Sequence, residues 1–383
     1  MKVIFNKNAI INAVAPLMCA VAKTDNPATE GILIEAKYPN VCVLTTFDER
    51  KGVRITIEAA VIEEGKYIVN AQKFNQTIKV MTGEEITLNI DQKFSACISC
   101  GKSSHKMTAL DSEIFPMIFD LKSDRSFVVS QSVIKKMINQ VSFAMGVNDP
   151  RTVLNGCYTQ IRDDSITFVA CDSYKLAKVS KFINIENRNT NNDAHLNFNF
   201  IIPSKTVLDL QKMLSDDEDS VMQIYITRKH IVFLIDEITF FSRLIDGDYI
   251  DYDRIIVKSH KIDVEVDRQE LIYALERAAL ITEERIANSV RSHVKFDLVD
   301  GLLKISAVSS AGSTYDELDV NKNGDDLIIA FNNRFLIESV RACSADKIKL
   351  SLSSALIGMH IEPFEPEEGT EQLFMLLPIR MKD

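Results

Sequence analysis

Short runs along the chain alternate apolar and polar residues, and three of these runs pass directly into a helical period. VIFNKNAIINAV at 3–14, FVVSQSVIKKMI at 127–138 and VEVDRQELIYAL at 264–275 share this layout. Period-two alternation reads as a strand and an i, i+4 recurrence as an amphipathic helix. Phe5, Val129 and Val266 close the strands, and Asn6, Ser130 and Asp267 follow. These three residue types suit a helix N-cap, because a short side-chain oxygen can accept from the first free backbone N–H groups. Ile10, Ile134 and Leu271, then Val14, Ile138 and Leu275, fall on one predicted apolar face. The copies are spaced by 124 and 137 residues, about one domain each.

A second set of strand–helix units lies at 66–81, 199–214 and 326–342, making six units in all. Between them ITLNI, FSACIS, SITFVA, MQIYIT, HIVFLI, VKFDL and LLKISAV alternate with period two. The expected class is α+β: three repeated domains, each with two helices packed on antiparallel sheets. Polar stretches at 121–126 and 257–261 suggest domains at 1–123, 124–258 and 259–383. Residues 184–195 read as a long surface loop, and 362–371 as an acidic loop before a final strand.

Composition changes this picture in one respect. With 46% apolar and 26% charged residues in 383, the chain can bury a core in each domain. Met1 leads directly into a strand with no signal-peptide segment, and no apolar run reaches a membrane span. Seven scattered cysteines suit a reducing compartment, so the expected location is the cytoplasm. A formal charge of −10 argues against a polyanionic partner, but its distribution does not. Helices are expected at 7–23, 72–80, 131–143, 204–214, 268–280 and 333–342. They hold twelve bases: Lys7, Lys23, Lys73, Lys79, Lys135, Lys136, Lys205, Lys212, Arg268, Arg277, Arg334 and Arg341. Their four acids are Asp209, Glu270, Glu276 and Glu338, so the helices net +8 and the remainder −18. Two readings follow: solvated helix faces that merely favour Lys and Arg, or a basic helical lining suited to a polyanion.

Catalytic and metal signatures do not emerge. Cys97 and Cys100 form a CxxC, but in an alternating strand residues three apart point to opposite faces. Gly101-Lys102-Ser103 resembles the end of a phosphate loop, yet Ala96 stands where its first glycine is needed and no helix opens there. The six histidines show no metal spacing, and Asp216–Asp219 reads as a solvated turn. No cofactor is expected.

LLPIRM at 376–381, CDSYKLA at 171–177 and LIDGDYIDYDRII at 244–256 resemble the bacterial DNA polymerase III beta subunit family, the sliding clamps. LNG at 154–156, LDSEIFP at 110–116 and the opening MKVIFNKN extend the resemblance over the whole chain. It implies a non-catalytic processivity factor: a head-to-tail homodimer of DNA-clamp domains closed into a ring around double-stranded DNA. Twelve helices at roughly 9 Å spacing would make a circle about 34 Å across. Subtracting a helix radius of about 5–6 Å on each side leaves a hole of roughly 23 Å, the scale of a duplex. The alternative is a scaffold module that binds nucleic acid on an open surface.

The resemblance also implies a pocket for hydrophobic peptides of the polymerase III core, the clamp loader, other DNA polymerases and repair proteins. Carried over by position, its residues are Leu154, Cys171, Ser173, Tyr174, Lys175, Leu176, Ile250, Arg254, Ile255, Asn332, Phe335, Leu356 and Gly358. The tail adds Met375, Leu376, Leu377, Pro378, Ile379, Arg380 and Met381. Leu176, Ile255, Leu356 and Leu376 would floor the pocket, and Arg254 would fix polar ends. Ser173, Tyr174, Lys175 and Ile250 depart from the Gly, His, Arg and Pro common in the family, and Lys382 and Asp383 extend past its usual end. Lys23, Lys102, Asn148 and Arg151 match the family's DNA contacts, beside the helix lysines Lys73, Lys79, Lys135, Lys136, Lys205 and Lys212. Thr152 and Val153 replace aromatics sometimes found there, so base stacking is not expected. For ring closure, Met81 and His105 would face Leu280 and Ile281 of the other subunit.

Overall fold

The computed structural model describes residues 1–24, 26–116, 123, 125–189, 195–282, 293–310 and 312–381. Six helices of ten residues or more lie among them: α1 (Lys7–Leu17), α2 (Ala71–Val80), α3 (Gln131–Val141), α4 (Ser204–Met213), α5 (Arg268–Thr282) and α6 (Asn333–Ala342). Each follows a strand immediately, as the repeat predicts. Asn6 Oδ1 accepts from the Ala9 N–H at 3.1 Å and Asp267 Oδ1 from that of Glu270 at 2.8 Å. Ser130 differs, its hydroxyl lying 3.1 Å from that of Ser132. Asn70 and Asn332 cap α2 and α6 through Lys73 N–H at 3.0 Å and Phe335 N–H at 3.2 Å. The apolar faces fall where the periodicity placed them, with Ile10, Val14 and Leu17 buried on α1 and Leu271, Leu275 and Ala278 on α5.

The chain divides into two compact units. The first comprises Met1–Val133, Glu186–Ala194 and Leu208–Leu244; the second comprises Ile134–Ile185, His195–Val207 and Ile245–Asp383. Every strand pairing among the described residues is antiparallel. The first unit holds a fourteen-stranded sheet in which Lys51–Glu58 pairs with Ile238–Arg243. Phe5, Phe74, Phe233 and Phe240 are fully buried there. Lys51, only 7% exposed, is paired with Asp209 of α4, so its charge is compensated away from water.

The second unit holds a nine-stranded and a four-stranded sheet. In the larger one Lys175–Phe182 pairs with the terminal strand Thr370–Leu376 over seven residues. This ladder joins residues almost two hundred positions apart. In the smaller one Gly312–Asp319 forms an edge. Asn333, 1% exposed, ties α6 to α5 by donating to the Leu275 carbonyl at 3.0 Å and to the Thr282 hydroxyl at 3.3 Å.

Two elements differ from the sequence reading. The first helix stops at Leu17 and passes into one 3₁₀ turn, Met18–Ala20, instead of running to residue 23. Pro16 in its last turn has no N–H to bond back, and its ring crowds the preceding carbonyls. Lys23 is therefore exposed beyond the helix, and the six helices carry eleven bases, with one instead of two on α1. The segment expected as a loop at 184–195 contains a short strand, Glu186–Asn187, paired with Phe127 and Val128. Asn189 is buried there and accepts from the Ser126 N–H at 2.9 Å. The rest of that loop, at 190–194, lies outside the described residues, as do 121, 122 and 124 of the first boundary and Lys382 and Asp383. No helix among the described residues is long and apolar enough to cross a membrane.

Candidate docking face and basic helices

Strand alternation builds the centre of the candidate docking face, which lies wholly in the second unit. Leu154, Val169, Cys171, Leu176, Tyr252 and Met375 form one buried cluster, with Ile250, Ile256, Tyr158, Tyr249 and Leu373 packed against it. Tyr158 and Tyr249 stack at 4.9 Å between centroids. Burial pushes the Cys171 thiol and the Tyr249 hydroxyl above their ordinary ranges, and the Tyr252 hydroxyl to about 12. All three groups are neutral at physiological pH and act as packing. Five of the carried-over pocket residues, Leu154, Cys171, Leu176, Ile250 and Met375, thus come together here.

At the end of this cluster the chain turns tightly. Asp172 Oδ1 accepts from the N–H groups of Tyr174 and Lys175, both at 3.0 Å. Ser173 between them has φ 78°, the left-handed region that favours glycine. The turn leaves Tyr174 62% exposed, with its ring 6.2 Å from that of Phe335. Lys175 points inward. Only 6% exposed, it meets Glu338 at 2.8 Å and Asp172 at 3.7 Å, with its ammonium 4.2 Å from the Phe335 ring centre and 5.5 Å from that of Phe143. An ammonium out of water needs such partners, and the aromatic faces add cation–π attraction.

The tail is stitched onto this surface by its backbone. Leu377 N–H donates to the Tyr174 carbonyl at 2.9 Å, and Ile379 N–H to that of Ala330 at 2.7 Å. A Cβ on Gly358 would meet Leu377 at 3.2 Å and Met375 at 3.3 Å, so glycine lets the tail lie close. Tyr174, Leu356, Leu377, Ile379 and Met381 remain exposed. Leu176 and Leu376, read from sequence as open floor, are fully buried because the sheet's alternation turns them into the core. Asn332 is occupied as the cap of α6. Arg254 is exposed and pairs with Asp251 at 2.8 Å, beside the 43%-exposed Ile255. Pro378 is half-buried, and Arg380 is exposed. Sequence reasoning missed Phe143 and the role of Glu338, which only the fold brings to Lys175.

The basic groups are distributed unevenly. Lys73 and Lys79 on α2, Lys136 on α3 and Lys205 on α4 are exposed. None forms an ion pair among the described residues, whereas Lys212 lies 3.6 Å from Asp209. Lys135 is half-buried on α3. Lys102 sits in the hairpin turn between Ser95–Cys100 and Ser103–Asp111. Cys97 and Cys100 stay in that hairpin's first strand, where Cys100 Sγ accepts from the Gly83 N–H at 3.1 Å. Asn148 has φ 55°, and Arg151 is held by Asp149 at 3.0 Å and by the Ser173 hydroxyl. Met81 is buried, His105 and Leu280 are exposed, and Ile281 is half-buried. No group of three or more His, Cys, Asp or Glu among the described residues could hold a metal ion.

Repeated strand–helix units, antiparallel sheets and an apolar tail laid beside an exposed aromatic define a repeat-built protein with an exposed apolar face and basic helices. Comparison with known families gives that architecture its place. The N-terminal, central and C-terminal domain models of the DNA polymerase III beta subunit match residues 1–119, 128–251 and 253–378 in order. The chain belongs to the DNA polymerase III beta subunit family. It is 28% identical to the beta sliding clamp of Staphylococcus aureus, covering 97% of this chain and 96% of that protein. A DNA polymerase III beta subunit structure from Eubacterium rectale superposes with TM-score 0.89 at 25% identity, each chain covered completely. The DNA polymerase sliding clamp of Bacillus subtilis has the same fold, with TM-score 0.89, 22% identity and complete coverage of both chains.

Proposed function

We propose that the chain is a replicative sliding clamp, a ring-shaped homodimer that encircles duplex DNA and tethers the polymerase without catalysing a reaction of its own. The observation that carries this reading is the succession, in order, of three beta-subunit domain matches between residues 1 and 378. On this reading the repeats are the domains expected at 1–123, 124–258 and 259–383. The cytoplasm is where it meets DNA.

Two edges support ring closure. Residues 103–108 pair with 95–100 on one side, while on the other side only 109–111 find a strand, at 67–69. Gly312–Asp319 is likewise open on one side among the described residues, and a Cβ on Gly312 would lie 3.8 Å from Ile281, next in sequence to the 80%-exposed Leu280. An open strand edge invites pairing, and two unlike edges brought together twice close a two-membered ring. His105 lies on the first edge, Met81 is buried in the same unit, and Leu280 and Ile281 flank the second. Topological linkage also suits weak DNA contacts. A charge pair in water is worth only about 1 kcal/mol at 4 Å and is cut further by salt, so phosphate is attracted without pinning the ring.

The exposed Tyr174, Leu356, Leu377 and Ile379, beside the buried cluster, would take the apolar anchor of a partner peptide. The polymerase, the clamp loader and repair proteins are the partners this reading assigns. Loading onto nicked circular plasmid by a clamp loader, followed by linearisation, tests the mechanism. The ring should stay on the circle and run off the linear product. Retention on linear DNA with free ends overturns the topological reading, and a monomer by sedimentation at micromolar concentration overturns the ring.

A further inference from the structure

The six helices do not offer their charge equally. α2 and α3 each carry two lysines and no acid. On α4 the single acid, Asp209, is engaged by the buried Lys51. α5 carries two arginines and two glutamates, and α6 two arginines and one glutamate. On α5 and α6 the exposed arginines already hold carboxylates. Arg277 grips Asp316 through two nitrogens, Nε at 3.0 Å and Nη2 at 2.6 Å from Oδ1. Arg341 pairs with Glu276, and Arg334 with Glu338 at 3.0 Å. Arg268, the remaining base, donates to the Ala345 carbonyl at 2.7 Å. The planar guanidinium fork fits a carboxylate as well as it fits a phosphate, so the two compete for the same donors.

Resting on the clamp reading above, we propose that the phosphate-attracting charge of this protein is supplied by α2, α3 and α4. The exposed arginines of α5 and α6 are neutralised by carboxylates and add no net attraction, and the half-buried Arg268 is held at a backbone carbonyl. Lys73, Lys79, Lys136 and Lys205 would be the groups that duplex phosphates track. Each lysine that approaches a phosphate releases condensed counterions. An arginine already paired with a carboxylate must first give up that partner and leaves a negative charge behind. The last sequence repeat then passes the duplex without holding it, and motion along DNA is resisted on one part of the lining only.

The test is the salt dependence of full-length protein binding to a short fluorescent duplex, with plasmid retention of the same protein measured separately. The K73Q/K79Q/K136Q/K205Q variant should flatten the plot of log affinity against log salt, by roughly 0.9 for each phosphate no longer neutralised. The R277Q/R334Q/R341Q variant should leave the slope as it is. An arginine variant that flattens the slope as much as the lysine variant overturns the proposal. D316N/E276Q tests the converse and avoids any loss of fold caused by removing arginines: freeing Arg277 and Arg341 should steepen the slope and tighten binding. An unchanged slope there overturns the masking argument. Failure of the wild-type protein to stay on circular DNA defeats the clamp reading instead.

Discussion

Ser173 carries a backbone conformation that its side chain disfavours. At φ 78° a Cβ crowds the neighbouring carbonyl, at a cost of roughly 1–2 kcal/mol that glycine escapes. Its hydroxyl recovers part of this through an exposed hydrogen bond from Arg151. Ser173→Gly should therefore raise stability by roughly 1 kcal/mol, read as a higher unfolding midpoint; a lower midpoint would show that the Arg151 bond outweighs the strain. A second residue-scale expectation concerns His260 and His360, whose Nε2 and Nδ1 lie 3.1 Å apart. His360 is 3% exposed; burial, then the charge of His260, then Lys349 lower its pKa from the ordinary 6.5 to about 4. Burial likewise lowers that of His260, although Asp263 and Glu362 face it and oppose the shift. The unfolded chain then binds more protons than the native one between about pH 4 and 6.5, so stability is lost as pH falls through that window. His360→Gln should flatten the dependence of melting temperature on pH there. A slope as steep as in the wild type would assign the effect to other groups.

At the scale of elements, α6 is fixed at its start by the Asn332 cap, and its second turn supplies Glu338 to Lys175. Asn332→Ala should cost about 1 kcal/mol of stability through removal of the cap. Binding of a polymerase-derived peptide should weaken with it, because Phe335 supports Tyr174. Unaltered peptide affinity in a destabilised variant would separate the cap from the docking face. The tail is a sharper case, since Leu377 and Ile379 are held by backbone bonds that any sequence could make, while their side chains stay exposed. Deleting residues 377–381 should abolish peptide binding and leave the dimer intact by sedimentation. Undiminished binding would remove the tail from the site. The helices themselves were legible in the sequence because caps and i, i+4 faces are local signals. The end of α1 was misplaced because one proline outweighed six further residues of tolerable helix formers.

At the scale of the whole molecule, three repeats in one chain fold into two compact units. The segment expected as the central domain gives strands to both: Val221–Ile226, His230–Ile235 and Ile238–Arg243 to one, Gly156–Arg162, Ser165–Cys171 and Lys175–Phe182 to the other. Repeat spacing reports homology between segments, whereas compactness reports which sheets are continuous by hydrogen bonding. In the clamp reading the overall charge of −10 and the attraction for DNA coexist, because the acids are concentrated outside the helices.

The sequence by itself determined the α+β class, the sixfold strand–helix unit, two of the three helix caps it singled out, Asn6 and Asp267, and the family. All of these are written in short-range periodicity and in motifs whose residues are neighbours. Only the tertiary structure decided which pocket residues are exposed and which bases are neutralised. Leu176 and Tyr174 are two positions apart, yet one is fully buried and the other 62% exposed, because the strand ends between them at the Asp172–Lys175 turn. Lys175 finds Glu338 across 163 residues, and Arg277 finds Asp316 across 39. Charge and burial depend on distances in space, and a chain sets those distances only once its sheets have closed.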